Sequence, residues 1–248
     1  MRFFVATLRA CMPLLAFFIS AICLAAEPPG QIIDLSSWKL TLPIDTPQPG
    51  RPDEIVAPQL VNFVAAGIFQ ASEDGMGVVF RAPCGGITTS GSNYPRCELR
   101  EMQPGGKKEA SWNTTDNMIH SMRASLAITH IPAMKPHVVC AQIHDANDDL
   151  LEIRLEGKKL QAERANESSV ILDRNYQLGS EFALKIEAGN GHVHVFYDNE
   201  PKLDWPVSRD GCFFKAGCYT QSNTKKGDAA EDYGEVVIRK LELANRLP

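Results

Sequence analysis

From residue 37 onward, apolar and polar side chains alternate with a period of two in run after run. The runs are SWKLTL (37–42), GVVFRA (77–82), SMRASLAIT (121–129), HVVCAQIH (137–144), LLEIRLE (150–156), FALKIEA (182–188), HVHVFYD (192–198) and GEVVIRKLEL (234–243). Residues two apart on a strand share a face, so each run predicts a strand with one side in a core. Between the runs stand turn-forming groups: APCGG (82–86), QPGGKK (103–108), DANDD (145–149), EAGNG (187–191) and DNEP (198–201). No helical periodicity is sustained beyond residue 26, and strands do not alternate with helices. The pattern predicts an all-β sandwich of two antiparallel sheets, without internal repeats. The polar run SNTKKGDAAEDY (222–233) predicts a mobile loop at one end of a sheet.

The first 26 residues read differently. Arg2 and Arg9 form a basic start, an apolar run extends from Cys11 to Leu24, and Ala25 and Ala26 follow. This is the pattern of a secretory signal, too short and too poorly flanked for a membrane span. Residues 27–248 then form one domain, exported to the periplasm or the exterior, with no membrane association after cleavage and a monomeric state expected. Losing Arg2 and Arg9 takes the net charge from −5 to −7. An acidic chain of this kind is a poor general binder of nucleic acid. It can hold a polyanion only if its basic groups converge in one cleft, since local field governs capture. Five cysteines follow the leader: Cys84, Cys97, Cys140, Cys212 and Cys218. Export permits disulfides, but an odd number leaves at least one thiol free or paired between chains. No CxxC or Cys/His spacing points to a metal. NTT (113–115) and NES (166–168) fit the glycosylation sequon.

Three further strand-like segments, RCELR (96–100), QIH (142–144) and FKAGCYTQ (214–221), carry the candidate chemistry. Parity puts Arg96, Glu98 and Arg100 on one face, with Cys97, Leu99 and Glu101 on the other. It pairs Gln142 with His144 and turns Ile143 away. It also groups Lys215, Gly217, Tyr219 and Gln221 against Phe214, Ala216, Cys218 and Thr220. Taken singly, these are an ordinary charged strand face, a histidine at a strand end and an amphipathic tyrosine. Taken together, they line a groove: three cations for positive potential, an amide for neutral hydrogen bonding, and a His and a Tyr for proton transfer.

The chain resembles the alginate lyases of polysaccharide lyase family seven. The matching pieces, in order, are WKLTLP (38–43), TTSGSNYPRCELRE (88–101), QIH (142–144), FKAGCYTQ (214–221) and DYGEVVIRKLEL (232–243), which span nearly the whole chain after the leader. The family usually has Ser, Thr or Asn in place of Cys97 and often Tyr in place of Phe214; both positions face away from the groove by parity. The resemblance implies a β jelly roll with a concave substrate groove. It also implies cleavage of alginate by β-elimination, leaving an unsaturated uronate at the new non-reducing end. Carried over, Arg96 and Gln142 contact the substrate carboxylate, His144 neutralises it or acts as base, and Tyr219 protonates the departing O4. On mannuronate, where proton and leaving group share a face, Tyr219 serves as both base and acid. Glu98 fixes the flanking arginines, while Arg100, Lys215 and Gln221 bind uronates in neighbouring subsites. No metal or organic cofactor is required, and the Ile of QIH resembles members favouring guluronate-containing blocks.

Rival readings are a lyase on another polyuronate such as glucuronan, a jelly-roll glycoside hydrolase, a non-catalytic carbohydrate-binding module, and an adhesion domain. A hydrolase needs paired carboxylates flanking the bond, and no ExDxxE-type cluster supplies them. Binding or adhesion alone leaves the pairing of His144 with Tyr219 unexplained.

Overall fold

The computed structural model describes residue 1 and residues 27–247; the expected leader, beyond its first residue, lies outside the described residues. Two antiparallel sheets face each other. The first runs from edge to edge as β10 (Val170–Asp173), β9 (Lys159–Arg164), β8 (Asp149–Glu156), β7 (His137–His144), β14 (Phe213–Thr220), β5 (Arg96–Glu101), β1 (Trp38–Thr41) and β2 (Glu54–Val56). The second runs β13 (Glu200–Pro206), β12 (His192–Tyr197), β11 (Phe182–Gly189), β6 (Ile119–His130), β15 (Tyr233–Arg246), β4 (Val78–Pro83) and β3 (Phe69–Ala71). Three short 3-10 turns are the only helical elements among the described residues.

The alternation read from the sequence sorts the side chains between core and surface. Leu40, Cys97, Leu99, Ile143, Ile153, Phe214 and Ala216 of the first sheet meet Phe80, Leu126, Ile186, Val195 and Ile238 of the second in one continuous core. A fully buried side chain of this size contributes roughly 1.5–3 kcal/mol relative to leaving it in water. A hydroxyl joins the sheets as well. Thr220 Oγ1 donates to the Ala82 carbonyl at 2.8 Å and accepts from the Gly234 amide at 3.1 Å, at a point where Gly234 leaves no room for a Cβ.

Two features bend the sheet under the site. The register of β14 against β7 shifts between Ala216 and Tyr219, and that of β7 against β8 shifts between Val139 and Ala141. Each shift inserts an extra residue and raises local twist. Gly217, at φ 136°, sits in the first of them, where a Cβ would lie 2.6 Å from the Cys97 carbonyl oxygen.

The five cysteines are buried free thiols, with Cys97 and Cys218 opposite each other across β5 and β14. The segment 222–233 differs from the expected mobile loop. It contains a 3-10 turn capped by the Asn223 side chain, and buried Asp228 accepts from the amides of Met134 and Lys135 and from the Ser222 hydroxyl. A buried carboxylate with three donors has its hydrogen-bonding demand met within the fold.

Candidate active site

Segments 96–101, 137–144 and 213–220 are far apart in sequence, yet they become neighbours: β5 pairs with β14, and β14 with β7. Their polar faces all turn outward from the core. A cleft of about 400 Å³ opens on that face, lined by Arg96, Arg100, Gln142, His144, Lys215 and Tyr219.

Buried behind these lining residues is Glu98, only 1% exposed. It accepts from Lys215 Nζ at 2.6 Å, from Arg96 NH1 at 3.0 Å and from the Gln142 amide. Burial pushes this carboxyl up, but the adjacent Lys215 and Arg96 charges and the hydrogen bonds outweigh it and hold Glu98 below the usual range. Burial pulls Lys215 down to about 8 against the attraction of Glu98. Glu98 was expected to fix both flanking arginines. It holds Arg96 alone, and its second cation is Lys215. Arg100 instead lies over the Phe213 ring at 3.7 Å and pairs with Glu109 at 3.2 Å.

His144 is half-buried, stacked on Phe213, with Nδ1 2.5 Å from the Asp145 carbonyl oxygen. A carbonyl can only accept, so Nδ1 carries the proton and Nε2 of the neutral ring keeps its lone pair. Burial lowers the His144 pKa, which favours that neutral form. The Asp145 turn is held in place by Arg209 at 3.1 Å and by the amides of Asn147 and Asp148. Tyr219 stands under the Arg96 guanidinium, 3.9 Å from ring centroid to Cζ, and its hydroxyl is 3.0 Å from Ser92 Oγ. Burial raises the Tyr219 pKa, with the Arg96 charge opposing it.

Gln221 is placed differently from the other expected substrate binders. Its amide donates to both Glu152 oxygens at 3.0 and 3.1 Å, and its oxygen accepts from Arg154 at 3.1 Å. Its hydrogen-bonding capacity is turned inward, toward a network at the β8 side of the cleft. Sequence reasoning passed over Lys39, Ser92, Glu152 and Phe213, which also line the cleft. Lys39 and Glu152 have the signal that found the others, polar positions within alternating runs. Ser92 belongs to a loop, where parity says nothing.

Comparison with known proteins bears on the family and the fold. The alginate lyase family model matches residues 33–245. The chain is similar to a solved alginate lyase, AlgAT5 from polysaccharide lyase family 7, at 47% identity with a TM-score of 0.84, covering 88% of this chain and 99% of that one. A solved alginate lyase from Corynebacterium sp. gives 39% identity and a TM-score of 0.85 over 89% of this chain and 99% of that one. A curated alginate lyase of Klebsiella pneumoniae is 24% identical over 92% of this chain and 96% of its own length. The jelly-roll sandwich, the cleft and these matches together place the chain among the alginate lyases of polysaccharide lyase family 7.

Proposed function

We propose that this lyase cleaves the 1,4-linked uronate chain of alginate by β-elimination in the β5–β14–β7 cleft, with guluronate-containing blocks as the favoured substrate. The observation that carries this reading is the convergence of Arg96, Gln142, His144 and Tyr219 on one cleft over the buried Glu98. Arg96 and Gln142, anchored by that carboxylate, face the uronate carboxylate and neutralise it, which makes the adjacent C5 proton acidic. His144 Nε2 takes that proton. The C5 electron pair forms the C4–C5 double bond as the C4–O4 bond breaks, and the Tyr219 hydroxyl gives its proton to O4. The proton on His144 then returns through solvent to the tyrosinate. Donors already in place where charge develops stabilise the transition state by about 3–4 kcal/mol each.

Separate base and acid suit guluronate, where proton and leaving group lie on opposite faces; on mannuronate Tyr219 serves for both. Ile143, packed in the core beneath Gln142 and His144, acts on this preference only through the tilt of those two residues. Hydrolysis finds less support. Glu98, the carboxylate behind the cleft lining, is saturated by three donors and is not available as a general acid or base.

Residues 27–248 are proposed as a single monomeric catalytic domain, exported once the leader of residues 1–26 is removed, and acting without metal or organic cofactor. Digestion of polyguluronate, polymannuronate and mixed blocks, followed by ultraviolet absorbance of the unsaturated product end, tests the reaction and the preference together. Bond cleavage without that absorbance refutes elimination, and faster release from polymannuronate refutes the preference.

A further inference from the structure

On the sheet that does not carry the cleft, β12 turns Val193 and Val195 into the core and His192 and His194 outward. The neighbouring edge strand β13 likewise buries Leu203 and Trp205 and turns Asp204 outward, in register with His194. The result is a three-residue cluster. His192 Nδ1 lies 2.6 Å and His194 Nδ1 3.5 Å from the same Asp204 oxygen, and the two imidazoles stack 5.7 Å apart at 10°. One donor atom from each residue falls within 4.8 Å of the other two.

We propose that His192, His194 and Asp204 form a binding site for a divalent transition cation of the zinc class. Two imidazoles and one carboxylate are a donor set for such ions, with the remaining coordination positions left to water. A tetrahedral ion with bonds of about 2.0–2.2 Å keeps its donors about 3.4 Å apart, so small side-chain rotations bring these three into place. The strand pattern supplies the preorganisation: residues two apart on β12 point the same way, and the β12–β13 register fixes the third ligand. An ion here ties the edge strand β13 to β12, stabilising the open margin of the sheet.

Isothermal titration of the metal-free full-length protein with zinc chloride tests this, alongside His192→Ala and Asp204→Asn. The expected result is one zinc per chain with a dissociation constant in the micromolar range, weakened about tenfold or more in each variant. Zinc at about a hundred times the wild-type dissociation constant should raise the wild-type melting temperature by about 5–10 °C and that of each variant by about half as much or less. Alginate cleavage by both variants should stay at the wild-type rate. Absence of saturable zinc binding, or binding of equal strength in the wild type and both variants, overturns the proposal and leaves the cluster as an ion pair.

Discussion

Replacing Glu98 by Gln removes the buried carboxylate behind the cleft lining while keeping its shape. Breaking one side of a buried charge pair costs about 3–5 kcal/mol when the surviving charge is trapped. Lys215 is not trapped. Its pKa of about 8 lies one unit above neutral, so at pH 7 its proton is held by only about 1.4 kcal/mol. Once the Glu98 charge is gone, the ammonium releases its proton, which caps that part of the penalty. Losing the charge-assisted bond to Arg96 adds about 1–2 kcal/mol. The expected loss at pH 7 is therefore about 2–3 kcal/mol, or about 5–10 °C in melting temperature for a domain of this size.

The pH dependence carries the sharper test. The folded pKa of Lys215 lies below its ordinary 10.5, so the unfolded chain binds more protons between the two values and stability rises with pH there. In the wild type that rise begins at about pH 8. Without Glu98 it begins lower, so the deficit of Glu98→Gln shrinks as pH climbs toward 8 and is constant above it. Glu98 itself, with its depressed pKa, contributes stability that is lost as pH falls through its folded value, so the deficit closes at the acid end too. Urea unfolding of both proteins from about pH 4 to about pH 9 measures this curve. A deficit that stays flat or widens between about pH 6 and about pH 8 refutes a charged Lys215 held by Glu98.

Tyr219→Phe should fold as the wild type does and lose about 10² to 10⁴ in turnover, read by ultraviolet absorbance of the product; near-wild-type turnover removes Tyr219 from proton transfer. KM and kcat should separate in their pH profiles: KM rises above about pH 8 as Lys215 loses its charge. The acid limb of kcat/KM, which reports the free enzyme, should lie below the ordinary histidine value of 6.5, because burial lowers His144. Gly217→Ala places a methyl 2.6 Å from a backbone oxygen at a φ that L-residues avoid, so it should cost about 3 kcal/mol or more in denaturant unfolding; a loss under about 1 kcal/mol shows that β14 can shift at no cost to stability.

Strand parity made much of this legible, because one face of β5, β7 and β14 is core and a period of two leaves no ambiguity about which residues face out. What parity cannot give is the partner. Glu98 and Lys215 lie in segments far apart along the chain, and only the β5–β14 pairing brings them together. The expectation that Glu98 fixes Arg100 followed from counting along one strand, where the nearer cation comes from the next. β2, β3 and β10 are three or four residues long, too short to display alternation. β13 begins within what reads as a turn and contains Pro201 and Pro206, which an edge strand tolerates because one side of it needs no ladder donor.

An acidic protein must still hold a polyanion, and the row of residues in register across the cleft accounts for it. Lys39 on β1 stands beside Arg100 on β5, Arg100 beside Lys215 on β14, Lys215 beside Gln142 on β7, Gln142 beside Glu152 on β8, and Glu152 beside Glu163 on β9. Cations fill one half and acids the other. The cations differ in how they are held. Lys39 and Arg100 pair with Glu54 and Glu109, whose side chains are half exposed, so uronate carboxylates can displace those partners at little cost. Arg96 and Lys215 are fixed by buried Glu98 and keep their geometry whatever binds. On the acidic side, Arg154 is taken up by Glu152, Glu156 and Glu163. Burial raises the Glu152 pKa, which lowers the cost of protonating it beside a bound polyanion. Net charge therefore says little about this surface: on the proposed function the exchangeable cations would capture the chain and the fixed ones orient the reacting sugar, while the acids beyond them are paired with Arg154.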